Sequence, residues 1–379
     1  MKEVLEIEPL VSAKFDLAVK SGDAYFFESQ VHITGDDRNE KSEPVACVPW
    51  QIRTVPALLK KPNSSDKGKD SQDKDTKPQQ NQKDVFAPPY VPNLLVKEMQ
   101  DFTVLLNKFC VLPKHFLLVT KGKRFSDDTE FVKQELPPPP ELITTAYRII
   151  QQHQPVQPDG EILGFFNCGK ESGASQPHCH FQMVELAPES SDMAVPIENL
   201  FKFIKRDGKE DLDIHMLPVP WQHFVALLSP PSDDEELLMY LGNRFTQLLD
   251  CMVSATRDVA LINGLQMQNG PPHFNILLTK RAMHVIPRRQ EGFDLNETSW
   301  TPFSNAQAPE NTGMLSINAL GYAGLFLTRH EAELEAMKSP ANSRIAEVLA
   351  RTGMPIPLQV SGSKSESGDA ENEQRQSTS

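Results

Sequence analysis

Between Ile162 and Leu186 the chain reads ILGFFNCGKESGASQPHCHFQMVEL, and no other stretch restricts the fold as much. The apolar run ILGFF has the composition of a buried strand, and a glycine- and serine-rich loop separates it from a second strand that starts at His178. Side chains alternate along a strand, so His178, His180 and Gln182 share one face while Cys179, Phe181 and Met183 share the other. A face carrying two imidazoles and a carboxamide is costly to bury unless each group finds a partner. An imidazole with an ordinary pKa of about 6.5 is largely neutral at cellular pH and can attack phosphorus directly. The preceding loop, Gly169 to Gly173 with Lys170, Ser172 and Ser175, offers backbone N–H groups, hydroxyls and one ammonium to phosphate oxygens. Two blander readings fit the same residues. HxH pairs on strands also occur as structural histidines, and imidazoles at i and i+2 can share a metal ion, although no further His lies within a few residues. Cys168 and Cys179 lack zinc-finger spacing and read as packing thiols.

Around this segment helical and strand periods alternate. From Asp233 to Val253 apolar residues recur at three- and four-residue intervals, which predicts an amphipathic helix, and Ser232 with Glu235 has capping-box spacing. Further helices are expected around Ala13 to Ser29, Asn93 to Asn107, Glu141 to Gln152 and Glu331 to Arg351. Phe109 to Thr120, broken at Pro113 and Lys114, and His273 to Ile286, broken near Lys280 and Arg281, read as strand hairpins. Hairpins imply antiparallel pairing, and strands without regular βαβ spacing favour an α+β class over a doubly wound parallel sheet. The stretch from Ser64 to Asp84 has no aliphatic or aromatic residue and reads as a disordered insertion, as does the C-terminal tail from about residue 356 to 379.

With 38 basic and 51 acidic residues the formal charge is −13, which argues against nonspecific binding to nucleic acid or to an anionic membrane. A polyanionic ligand therefore needs a local basic pocket. Five cysteines without a CxxC pair fit reduced thiols, and the absence of a signal-like start or a long apolar run points to a cytoplasmic protein, with the nucleus as a further location.

HCHFQ fits the HxHxQ pattern of the transferase branch of the histidine-triad superfamily, whose hydrolase relatives carry a third His where this chain has Gln182. More widely, AKFDLAVKSG, PNLLV, NKFCVLPKHFLLVTK, FFNCGKESGASQPHCHFQ, LPVPWQHFVALL, HFNILLTKRAMHVIPR and INALGYAGLFL follow in the order seen in fungal diadenosine tetraphosphate phosphorylases, also called ATP adenylyltransferases. The chain resembles that family from about residue 13 to 330. The resemblance implies a histidine-triad-like α+β fold, mainly antiparallel sheet flanked by helices. It also implies an N-terminal catalytic half (1–63 and 85–190, around the insertion 64–84) and an adenylyltransferase half (191–355) packed into the same fold. The implied reaction is reversible cleavage of diadenosine tetraphosphate by inorganic phosphate, giving ADP and ATP, with ADP sulfurylase activity as a further expectation. His180 is the implied nucleophile that carries AMP, Gln182 a hydrogen-bond donor to the shifting charge, and His178 an orienting or phosphate-binding neighbour. Asn167, Lys170, Ser172, Gly173 and Ser175 are the candidate phosphate contacts of the loop. Lys280 and Arg281, with Lys60 and Lys61, are the candidate cations for the polyphosphate. Mg²⁺ is expected on the substrate phosphates, not in a protein cage. A histidine-triad hydrolase and a catalytically silent nucleotide-binding sensor are the alternatives.

Overall fold

The computed structural model describes residues 7–35, 42–56, 84–122, 131–155, 159–189, 193–204, 213–262, 270–295, 313–338 and 343–356. The N-terminal part contains helix α1 (Ile7–Ser21) and strands β1 (Tyr25–Phe26), β2 (Gln30–Thr34), β3 (Trp50–Thr54), β4 (Leu95–Glu98), β5 (Phe102–Leu106), β6 (Phe109–Cys110) and β7 (Phe116–Thr120). Helix α2 (Pro140–Gln152), β8 (Glu161–Cys168) and β9 (His180–Leu186) follow. The remainder comprises β10 (Ile214–Met216), β11 (Phe224–Leu227), α3 (Asp234–Ile262), β12 (Phe274–Leu278), β13 (Ala282–Pro287), β14 (Gly292–Asp294) and β15 (Met314–Ser316). It ends with α4 (Ala319–Ala323), β16 (Leu325–Thr328), α5 (Glu331–Met337) and α6 (Ser343–Thr352).

Nine strands form one sheet in the order β10-β11-β13-β12-β8-β9-β7-β5-β4, and every pairing within it is antiparallel. The α+β expectation with a mainly antiparallel sheet is met. All eight positions of β8 are buried because both faces of the sheet are covered. One face, carrying Phe166, Phe181 and Ile276, packs against apolar residues of α1, α2 and α3. The opposite face, carrying Leu163, Phe165, Val184 and Leu277, packs against β3, β16 and α4 to α6. A small three-stranded sheet, β16-β3-β2, belongs to this second layer. No helix among the described residues is long and apolar enough to cross a membrane.

The long amphipathic helix forms as expected, but its cap sits one residue later than the Ser232 signal. The carboxylate of Asp233 accepts the N–H groups of Glu235 (2.9 Å) and Glu236 (3.1 Å). Proline at the first helical position starts α2. The hairpin within His273 to Ile286 is present as β12 and β13. Four expectations need correction. Asn93 to Asn107 is not a helix but the strand pair β4 and β5, since a short apolar run is ambiguous in period and pairing with β7 decides it. Phe109 to Thr120 is not a hairpin: β6 pairs in parallel with β1, and β7 pairs with β5 and β9. The segment from Asn107 to His115 is thus the loop of the β5–β7 hairpin, closed by Asn107 N–H donating to the His115 carbonyl at 2.9 Å. Finally, α1 ends at Ser21, before Gly22 at φ +78°, and the C-terminal helix is divided into α5 and α6, with Pro340 in the sequence between them. The expected insertion falls outside the described residues except for Asp84, as does the tail except for residue 356 and earlier.

Candidate active site

β8 and β9 place the site. Their register, with Phe165 opposite Gln182, puts Asn167 beside His180, and β12 continues the row with Asn275 opposite Asn167. These polar residues share one face of the sheet, the alternation expected from the sequence. At the end of β8 the chain turns through Gly169 (φ +83°) and Gly173 (φ +85°), a region glycine enters without steric cost. A Cβ on Gly169 would lie 2.0 Å from His273 Nδ1, and one on Gly173 2.8 Å from Asn318 Cβ. Both positions are therefore closed to any other residue without local rearrangement.

Within the loop, the roles divide. The buried Ser172 hydroxyl has the carbonyls of Cys168 (2.6 Å) and Gly169 (2.7 Å) as acceptors for its one proton, and the N–H groups of Ser172, Gly173 and Ala174 all turn back onto Gly169 or Lys170 carbonyls. Ser172 and Gly173 build the loop, whereas Lys170 and Ser175 are exposed and project polar groups outward. Asn167 Oδ1 accepts from Asn275 Nδ2 (2.8 Å) and from the N–H of Ala319 (3.0 Å), so its carboxamide joins β8, β12 and α4. Arg288, just past the end of β13, anchors this arrangement. All its donors are engaged: Nη1 with Asn275 Oδ1 (2.7 Å) and the Ser172 carbonyl (3.5 Å), Nη2 with the carbonyls of Gln290 and Ile317, and Nε with that of Thr352.

The two histidines of the motif differ in their surroundings. His178 faces two acceptors, Asp84 Oδ2 at 2.7 Å from Nδ1 and the Thr120 carbonyl at 2.7 Å from Nε2. Asp84 thus lies against one nitrogen and the Thr120 carbonyl against the other, and the ring stacks at 4.9 Å on Phe131. His180 is buried, and its Nδ1 lies 2.8 Å from the His178 carbonyl. A carbonyl only accepts, so Nδ1 carries the proton and Nε2 keeps its lone pair. Burial pushes the His180 pKa down to about 4; the bond to the His178 carbonyl opposes that shift and the charge of His178 adds to it. Gln134 clamps the start of β9, accepting the N–H of His180 at 2.7 Å and donating to the Asn167 carbonyl at 2.9 Å. Gln182 Oε1 lies 3.1 Å from Nε2 of the buried His115.

The structure does not bring Lys280 and Arg281 to this loop. They lie in the β12–β13 turn, five and six residues along from Asn275, or roughly 17–20 Å at the rise of a strand. There Arg281 is paired with Glu161 and with the fully buried Glu198, and Lys280 is exposed. Arg281 has a folding role because the buried Glu198 needs a cation, a demand no local sequence pattern announces. Lys60 and Lys61 lie outside the described residues. Asp84, His115 and Gln134 are the site residues that sequence reasoning missed, and of the cations flanking the β12–β13 hairpin it is Arg288, not Lys280 or Arg281, that reaches the loop. Each acts through a partner far along the chain, and only the sequence resemblance around NKFCVLPKHF pointed near one of them.

The family matches of both halves of the chain make it an enzyme of the nucleotidyltransferase type. Residues 40–203 match the Ap4A phosphorylase N-terminal domain and residues 217–355 match the ATP adenylyltransferase C-terminal domain. The chain belongs to the Ap4A phosphorylase family of ATP adenylyltransferases. It is similar to diadenosine 5',5'''-P1,P4-tetraphosphate phosphorylase 2 of Saccharomyces cerevisiae, 29% identical over 346 residues that cover 85% of this chain and 87% of the relative. Protein APA1 of the same yeast is 25% identical over 371 residues, covering 92% and 95%. The fold is that of yeast Ap4A phosphorylase Apa2, whose crystal structure in complex with Ap4A gives a TM-score of 0.63 at 23% identity, covering 92% of this chain and 98% of that one. The Apa2 complex with AMP gives a TM-score of 0.61 at 24% identity, with 93% and 98% covered.

Proposed function

We propose that this chain cleaves diadenosine tetraphosphate with inorganic phosphate, in two displacements at His180. The observation that carries the reading is the bond from His180 Nδ1–H to the His178 carbonyl, which leaves Nε2 as the one nucleophilic atom of the ring. In the first displacement Nε2 forms a bond to the α-phosphorus, the phosphorus–oxygen bridge breaks, and ATP leaves with the bridging oxygen. In the second a phosphate oxygen attacks the same phosphorus, the nitrogen–phosphorus bond breaks, and ADP leaves while Nε2 regains its lone pair. Bound AMP makes the ring formally cationic, and the His178 carbonyl on Nδ1–H stabilises that charge. Gln182 donates its amide N–H to a non-bridging oxygen as charge shifts, and Asn167, Lys170 and Ser175 serve the phosphates beside the loop. Ser172 and Gly173 act through the loop they build.

A carboxamide cannot manage protons as a third imidazole can, whereas phosphate arrives already partly deprotonated and needs little general-base help. Sulfate, a tetrahedral oxyanion of similar size, is an alternative acceptor for the same adenylyl group. Mg²⁺ arrives with the polyphosphate and neutralises it. Buried reduced thiols suit a reducing compartment, the cytoplasm or the nucleus. Product analysis with and without phosphate tests the reading. ADP and ATP should form only with phosphate, and labelled phosphate should exchange into the β-position of ADP without any diadenosine compound. Phosphate-independent turnover that yields AMP would overturn it in favour of a hydrolase.

A further inference from the structure

We propose that His115 is a positioning residue for adenylyl transfer, fixing which end of the Gln182 carboxamide faces the reacting phosphate. The inference rests on the reading of Gln182 as a donor. A carboxamide has two ends of nearly equal shape, and rotating it by half a turn exchanges a donor for an acceptor. With the oxygen toward the substrate, Gln182 would repel a phosphate oxygen instead of binding it.

Three hydrogen bonds remove that ambiguity. The Phe109 carbonyl, which can only accept, lies 3.4 Å from Asn107 Nδ2 and so holds the nitrogen of that amide in place. The same Nδ2 lies 2.9 Å from His115 Nδ1, which must therefore accept. A neutral imidazole that accepts at Nδ1 carries its proton on Nε2, and Nε2 lies 3.1 Å from Gln182 Oε1. The direction of donation runs from Asn107 through His115 to Gln182, and the Gln182 NH₂ group is the end left for the substrate. The relay requires His115 to stay neutral, since a cation would donate from both nitrogens and turn the Asn107 amide around. Burial holds the ring neutral by pushing its pKa down to about 4, against the opposing effect of the Gln182 bond, and the neighbouring His180 lowers it further. Asn107 and His115 are also the two residues that close the β5–β7 loop, so the relay is tied to the sheet that carries β9.

The test compares the rate of enzyme–AMP formation in single turnovers of His115→Leu, His115→Gln, His115→Asn and Gln182→Ala. Glutamine places an N–H near the Nε2 position of histidine, whereas asparagine reaches only the Nδ1 position. Loss of a preorganised donor costs about 10²–10³ in rate, so mis-set orientation should slow His115→Leu by about tenfold to hundredfold with KM nearly unchanged. His115→Gln should recover most of the rate and His115→Asn little of it. In a Gln182→Ala background His115→Leu should add no further loss, whereas a merely structural role would give additive losses. A slow Gln182→Ala beside a normal His115→Leu, or additive losses, overturns the inference alone. A normal rate in Gln182→Ala overturns the reading beneath it, and the inference with it. Nitrogen-15 NMR of the unmodified protein decides independently of any variant: a proton on His115 Nε2 is expected, and one on Nδ1 overturns the relay.

Discussion

One proton on one imidazole decides whether this site can act, and its place is set by neighbours that are not adjacent in sequence. Burial holds His180 neutral with a pKa of about 4, so the first displacement should keep its rate from alkaline pH down to about pH 5 and fall below that. Quenched-flow measurement of enzyme–AMP formation across pH checks this, and a midpoint near 6.5 would show a solvated ring instead. The same depression makes the unfolded chain the better proton acceptor. His115 and His180 both have folded values near 4 against about 6.5 unfolded, so the stability they contribute is fully present above 6.5 and is lost as pH falls toward 4. Within that window each contributes a slope of up to about 1.4 kcal/mol per pH unit, and His115→Gln should remove one share of it in urea titrations at pH 7 and pH 5. The HxHxQ spacing alone placed His178, His180 and Gln182 on one face, because alternation along a strand is a local rule. His115 is 67 residues from Gln182, and Gln134 is 46 residues from His180. His115 reaches Gln182 because β7 lies against β9, and Gln134 reaches His180 because Lys133 bridges His178; no period in the sequence encodes either neighbourhood.

Elements formed where one local rule dominated and departed from expectation where pairing decided. The α3 helix has enough turns for its apolar stripe to be unmistakable, and β12–β13 carries its turn within a short span. Residues 93–107 have no such length, and the β5 edge offered by β7 settles them as strand. The glycine loop belongs between these cases: its composition was legible, but its use was not, because its hydroxyl and N–H groups mostly hold the loop together. This division predicts different outcomes for two alanine substitutions at positive φ. Gly22→Ala, at φ +78° with nothing within 4 Å of the new Cβ, should carry only the backbone cost of about 1 kcal/mol and leave activity intact. Gly169→Ala adds a contact 2.0 Å from His273 Nδ1, so the loop or that ring must move. It should cost roughly 1–3 kcal/mol and also slow enzyme–AMP formation. Urea titration together with single-turnover rates separates the two, and equal activity in both variants would show that the loop conformation does not matter to transfer.

At the scale of the whole molecule, the two family segments do not correspond to two bodies. β8, from the first segment, pairs with β12, from the second, and β3 pairs with β16. The apolar layers on both faces of the sheet likewise draw residues from both segments, so neither segment has a core of its own. A cut between residues 204 and 213 would leave β8, buried at every position, as an open apolar edge on one fragment, and on the other would strip β12 of one of its two neighbours and β16 of its partner β3. Open apolar edges aggregate instead of folding. Each fragment expressed alone should therefore be insoluble or unfolded, while co-expression should restore the sheet and the transfer activity. The intact chain should unfold as one cooperative unit. Trp50 and Trp221 are both buried in the layer under β3 and α4, whereas α1, α2 and α3 cover the opposite face. Tryptophan fluorescence and far-ultraviolet circular dichroism thus weigh the two layers differently, and their urea transitions should coincide. Separated transitions, or a fragment that folds alone, would mean that the β8–β12 seam contributes little and that each segment is stable by itself.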